Sequence, residues 1–205
     1  MVKLTLDHIA VLGETLAEAI AHVEHTLGRT MGGGGAHPRF GTHNQLMGLN
    51  PALYLEAIAI DPSGPPVEGA RWFGLDHFTG PARLDKWVCT VDDIDAAIAA
   101  LPMAGRAVHL TRGGLSWTMA VPEDGLLPFD GLFPALIQWH VPVPPGKSLA
   151  GDDVALTGLE VRHPRADELK ALLAPYLDAP MVSFTNGTAG LRAEIRELDR
   201  VTVLS

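Results

Sequence analysis

Leu4-Thr5-Leu6-Asp7-His8-Ile9-Ala10-Val11-Leu12 is an apolar run carrying one acid and imidazole pair. A second run, Lys86 to Val91, is entered through Asp85, so that Asp85-Lys86 stands where Asp7-His8 stood. Each run leads into a stretch of helical periodicity and then into alternating segments. An internal repeat of this kind constrains the fold before any single element does.

Worked outward, the first copy predicts a strand over Thr5 to Leu12 and a break at Gly13-Glu14-Thr15. A helix follows, with Leu16, Ile20, Val23 and Leu27 recurring at helical spacing up to Gly28. The glycines Gly32 to Gly35 and a polar stretch to Asn44 precede strands over Gln45 to Leu49 and Leu53 to Ile60. Asp61-Pro62-Ser63-Gly64-Pro65-Pro66 reads as a linker, because proline cannot donate to a central ladder. Arg71 to Phe78 has no clear period. The second copy runs from strand Lys86 to Val91 through a helix over Asp92 to Leu101, capped by Asp92 or Asp93. Strands follow over Arg106 to Thr111, Leu115 to Val121 and Ala135 to Val141.

Pro142 to Lys147 is a second proline-rich linker. Beyond it, a strand over Val154 to Val161, a helix over Arg165 to Leu177 and strands over Met181 to Thr185, Leu191 to Leu198 and Val201 to Leu204 repeat the order once more. Asn186-Gly187 and Asp199-Arg200 separate those strands as turn signals. The expected class is α+β, with repeated βαβββ units forming a cupped antiparallel or mixed sheet. Residues 1–142 form the paired units (1–60 and 84–142), and residues 153–205 form a third unit packed on the same domain.

Composition narrows the function. With 205 residues, 47% of them hydrophobic, the chain supplies a sizeable core. A formal net charge of -9 opposes backbone-driven nucleic-acid binding, which concentrates Lys and Arg on one face. No apolar stretch approaches membrane-spanning length and the first residues lack the pattern of a secretory leader, so no membrane partner and a cytoplasmic location are expected. The single cysteine, Cys89, lies in an apolar strand, which excludes an internal disulfide and a cysteine-rich zinc site and predicts a buried, inert thiol. Neither a Gly-x-Ser-x-Gly elbow nor a P-loop is present.

Leu6-Asp7-His8-Ile9-Ala10-Val11, Gly41-Thr42-His43-Asn44 and Tyr54-Leu55-Glu56, with the strand pattern continuing to Val141, resemble the vicinal oxygen chelate superfamily and within it the glyoxalase-like branch. That resemblance implies a divalent metal held by the first and last strands of two paired units. By register the positions are His8, Glu56, Lys86 and Gln138. Imidazole and carboxylate suit Zn, Ni, Fe or Mn, and an amide oxygen is a weaker ligand. His140 shares the face of Leu136 and Gln138 and is a substitute ligand, whereas Trp139 is expected on the opposite face, beneath a helix. Lys86 breaks the pattern, since an ammonium only donates. Pointing inward, it would neutralise Glu56 or bind an anionic substrate and leave a metal-free pocket. Pointing outward, it would leave three protein ligands and a water.

His37 and Asn44, on the glycine-rich loop, are candidates to orient a carbonyl or carboxylate. Trp117 is a candidate wall of an apolar cup, and Arg112-Gly113-Gly114 predicts a hairpin turn. Two functions follow. One is a metal-dependent lyase, isomerase or dioxygenase acting on a small substrate with vicinal oxygens, with Glu56 exchanging between ligand and base. The other is a metal-free protein that binds or sequesters a small molecule through Lys86, Trp117 and the loop. Because paired units close a cup and three is an odd number, a homodimer is expected as well.

Overall fold

The computed structural model describes residues 1–149 and 153–205. Strand β1 (Thr5–Leu12) feeds helix α1 (Leu16–Leu27). The helix starts at a reciprocal cap, in which Thr15 accepts from the Glu18 amide at 3.2 Å and Glu18 accepts from the Thr15 amide at 3.0 Å. Its buried stripe, Ala19, Val23 and Leu27, packs on the core at four-residue spacing. Strands β2 (Gly34–His37), β3 (Thr42–Leu49) and β4 (Leu53–Ile60) complete the first unit.

The second unit repeats it. Strand β5 (Arg83–Thr90) precedes α2 (Ile94–Ala100), which is capped by Asp93 through the Ala96 amide, and then β6 (Arg106–Arg112), β7 (Leu115–Val121) and β8 (Ala135–Trp139). The Gly113-Gly114 turn closes β6 onto β7 as the sequence predicts. Eight strands form one sheet in the order β2-β3-β4-β1-β5-β8-β7-β6. Each unit pairs its first strand in parallel with its last, and β1 meets β5 antiparallel along the central seam. Strands in the middle are covered on both faces, so β1 and β4 read as nearly continuous apolar runs. The sheet curls until its edges meet, and Arg112 at the end of β6 reaches His37 at the end of β2.

After the short helix α3 (Pro145–Ser148), β9 (Val154–His163), α4 (Ala166–Leu173), β10 (Val182–Asn186), β11 (Gly190–Glu197) and β12 (Arg200–Leu204) build a separate sheet. Its element order matches the expected third copy, but its topology differs. The strand order is β10-β9-β11-β12, with β9 parallel to β10 directly after the helix. Asn186-Gly187 therefore crosses over β9 instead of closing a hairpin, while β11 and β12 are joined by a tight turn at Leu198-Asp199.

This sheet lies on the back of the cup. Trp87 on β5, its indole donating to the Leu132 carbonyl at 2.7 Å, meets Phe184 edge-on at 6.3 Å. Backbone bonds between Leu4 and both Tyr176 and Asp178, and between Asn50 and both Val154 and Leu156, stitch the two parts together. The third unit thus packs on the paired units of its own chain.

Candidate functional site

Residues alternating on the concave face converge on one small cavity. From the first unit come His8, Tyr54, Glu56, Asn44 and His37, and from the second Arg112, Trp117, Met119, Ile137 and Trp139. The connector Trp72–His77, a tight helical turn with Phe73 and Gly74 in left-handed backbone, places Trp72 and Phe73 across the remaining side. The enclosed space is about 30 Å³, enough for a water or two.

A single hydrogen-bonded chain runs through these side chains. The Trp139 indole donates to Asp7 Oδ2 at 2.9 Å, and Asp7 Oδ1 lies 2.6 Å from His8 Nδ1. The other imidazole nitrogen, Nε2, faces Glu56 Oε2 at 3.6 Å, while Asn44 Nδ2 donates to Glu56 Oε1 at 2.6 Å. Asn44 Oδ1 in turn accepts from Arg112 and from the Gly35 amide. Tyr54 stacks on His8 at 4.2 Å.

These contacts fix the charges. Burial, the largest influence on His8, opposes its protonation, but Asp7 and Glu56 together outweigh it and lift the imidazole to about 9. Burial likewise pushes Glu56 up, yet the facing His8 holds it below the usual carboxylate range, with His37 and Asn44 adding to the effect. His37 behaves oppositely: burial lowers it to about 4, opposed by Glu56 and assisted by Arg112 and His43. Its tautomer follows, because a guanidinium only donates. Nε2, 2.9 Å from Arg112, must be the acceptor, and Nδ1 carries the proton toward Thr42 Oγ1 at 3.1 Å.

The model of the glyoxalase-like domain family matches residues 6–177. The chain belongs to that family. It is a member of the vicinal oxygen chelate superfamily, and its paired βαβββ units have the fold the sequence led us to expect. Among solved structures it is similar to a hypothetical protein from Staphylococcus aureus, with TM-score 0.65 and 15% identity over 91% of this chain and 87% of that one. A Streptomyces coelicolor methylmalonyl-CoA epimerase in complex with 2-nitronate-propionyl-CoA gives TM-score 0.46 and 16% identity over 70% of this chain and 100% of that one. Methylmalonyl-CoA epimerase from Mycobacterium tuberculosis gives 0.42 and 18% over 65% and 85%. No curated protein matches the sequence.

The glyoxalase-like fold raises the question of a metal, and the donor set answers it. His8 and Glu56 do meet in the cup. Gln138 faces the other side of the sheet, where its amide accepts from the Ile94 N–H at 3.0 Å and donates to the Asp92 carbonyl at 2.7 Å. His140 also lies on that outer side, bonded to Thr118 at 2.8 Å and beside His109. The expected ligand set therefore fails on orientation: Trp139, not Gln138 or His140, enters the cup. Opposite His8 and Glu56 stand Ile137, Trp139 and Met119, and both His8 nitrogens already face carboxylates. Among the described residues no three His, Cys, Asp or Glu side chains gather around one point. Two protein donors alone do not make a site for Zn, Ni, Fe or Mn.

The expected contacts His37, Asn44 and Trp117 all line the glyoxalase-like cup. Lys86 lines a separate cavity behind Phe73 and does not neutralise Glu56. Cys89 is fully buried, and burial pushes its thiol up, as an inert core residue requires. Sequence reasoning passed over Asp7, Tyr54 and Arg112 as site residues. For Arg112 the signal was present, since Val108, Leu110 and Arg112 share one face of β6 and the first two are buried.

Proposed function

We propose that the cup is a metal-free acid–base site for a small substrate bearing a carbonyl or carboxylate oxygen, and that the reaction is a proton transfer of isomerase or lyase type. The supporting observation is the asymmetric setting of Glu56. Asn44 holds one carboxylate oxygen at 2.6 Å, while the other looks toward the cavity with His8 beyond hydrogen-bond length at 3.6 Å. That second oxygen is placed to take a proton from a carbon next to a substrate carbonyl and return it to the same or a neighbouring carbon.

The rest of the chain of contacts supplies the charge balance. As negative charge moves from Glu56 to the substrate oxygen, the His8 imidazolium facing the carboxylate meets it, and the Arg112 guanidinium, bound to the Asn44 that holds Glu56, adds a second positive charge to the cavity wall. Asp7 fixes the imidazole and is itself fixed by Trp139. The arrangement has a cost, because the charge that stabilises an oxyanion also makes Glu56 a weaker base. The aromatic walls Trp72, Phe73, Trp117 and Trp139 exclude water, and at about 30 Å³ the cavity admits a substrate of several atoms only when the Trp72–Phe73 wall shifts.

Proton exchange in deuterated water, followed by NMR over a panel of small 2-oxo acids, 1,2-dicarbonyls and thioesters, tests this reading. A wild-type exchange reaction slowed roughly 10²- to 10⁴-fold in Glu56→Gln supports it. Exchange unaffected by that substitution, or dependent on a stoichiometric divalent ion, contradicts it. Retention of a compound without any exchange would make the chain a binding protein instead.

A further inference from the structure

Lys86 is left unused by the cup, and its surroundings differ from those of a structural lysine. It lies next to β1 on the central strand, with Ala10 as its register partner, at the sequence position that repeats His8. Its side chain is 6% exposed and lines a cavity of about 410 Å³, well above the space around His8 and within the range that holds small ligands. Phe73 separates the two spaces and lines both.

Within this second cavity the amine has one acid at hand. Lys86 Nζ pairs with the Asp85 carboxylate and lies 3.3 Å from the Asp85 carbonyl. Asp85 is held from its other oxygen by Arg83 Nε at 2.9 Å, and Arg83 is itself fixed over the Phe78 ring at 4.1 Å. His77 and Asp130 complete the titratable groups in the wall, and Asp130 is engaged by His163 at 3.0 Å. The loop over the amine is strained: Phe129, Asp130 and Gly131 have φ of 56°, 55° and 85°. Left-handed backbone at non-glycine residues is sparsely populated and concentrates at functional sites. At Gly131 a Cβ would lie 2.8 Å from Lys86 Nζ, so the backbone is brought to the amine as closely as glycine allows.

We propose that Lys86 is a reactive amine that condenses with a small aldehyde or ketone entering this cavity, with Asp85 as its proton carrier. The ammonium passes one proton to Asp85, and the freed lone pair forms a C–N bond to the carbonyl carbon. Asp85 returns the proton to the oxygen, giving a carbinolamine. A second proton passes from nitrogen through Asp85 to the hydroxyl, the C–O bond breaks, and water leaves an iminium on Lys86. The overall change is one carbonyl and one ammonium to one iminium and one water, with no oxidant or reductant. Burial lowers Lys86 from the usual lysine value, opposed by Asp85 and assisted by Arg83, which favours the neutral amine. The inference is independent of the reading of the cup.

The chain carries its own control, since its other lysines, Lys3, Lys147 and Lys170, are all exposed. The intact protein is incubated near pH 7 with limiting pyruvate or glyceraldehyde, the imine is reduced with cyanoborohydride, and adducts are located by peptide mass spectrometry. Lys86 is expected to label at least about tenfold faster than any surface lysine, because a positioned proton carrier such as Asp85 contributes a factor of about 10² or more. Asp85→Asn should slow Lys86 to the surface rate and Lys86→Arg should abolish its adduct, with circular dichroism confirming the fold. Labelling of Lys86 no faster than the three surface lysines in the unmutated protein overturns the proposal, whether or not either variant folds.

Discussion

Trp139 Nε1 donates to Asp7 Oδ2 at 2.9 Å, joining the last strand of the second unit to the first strand of the first. Asp7 is the pivot of the cup, because its other oxygen orients His8. Trp139→Phe keeps an aromatic side chain, smaller than the indole, and removes the donor. It should destabilise the fold by about 1.5–3 kcal/mol, the usual worth of a hydrogen bond to a charged group, read as a shift in urea midpoint with unchanged slope.

The two histidines on either side of Glu56 titrate in opposite senses, which sets a pH of greatest stability. His37 is neutral in the fold down to about 4, so the unfolded chain binds the extra proton between about 4 and 6.5 and stability rises with pH there. His8 keeps its proton up to about 9, so its contribution is full below 6.5 and is lost as pH rises through 9. Glu56, held low, adds a loss only in stronger acid. Stability measured by urea denaturation across pH should peak near 6.5, and in His8→Gln the alkaline decline should vanish.

The sequence disclosed one half of this site better than the other. His8 and Glu56, with His37, Asn44 and Trp117, were legible because residue chemistry and strand alternation agreed on the inward face. On β8 they disagreed. Leu136, Ile137 and Trp139 are apolar on both sides of the strand, so period alone could not choose a face, and the metal-ligand chemistry of Gln138 and His140 pointed the wrong way. What decides the face is a long-range partner, the Asp7 carboxylate, which no local pattern reveals. The third unit shows the same limit: its strands and helix were readable, but β10 docks beside β9 and not β11, a choice made between sheet edges.

Arg112 clamps the rim where the sheet edges meet, bonding His37 at 2.9 Å and Asn44 at 2.9 Å. Arg112→Met should cost about 1–3 kcal/mol for the donors lost to these partners. It should also let His37 rise somewhat above about 4, since one repelling charge is gone while burial still holds it low, visible in its ring proton shifts.

Gly131 is the third left-handed residue of the loop over Lys86. Gly131→Ala should destabilise by about 1–2 kcal/mol from backbone strain alone, and the new methyl should push the amine away from its present position. Urea denaturation gives the first effect. A changed adduct rate at Lys86 gives the second.

On the proposed reading, His8 is clamped as a cation between two carboxylates and does not serve as a metal ligand. Nitrogen-15 NMR of the imidazole, recorded across pH with and without added zinc, measures this directly. Both ring nitrogens are expected to be protonated at pH 7 and to titrate near 9, and stoichiometric zinc should leave them unchanged. A neutral His8 at pH 7 whose Nε2 resonance moves on adding one equivalent of zinc would contradict it.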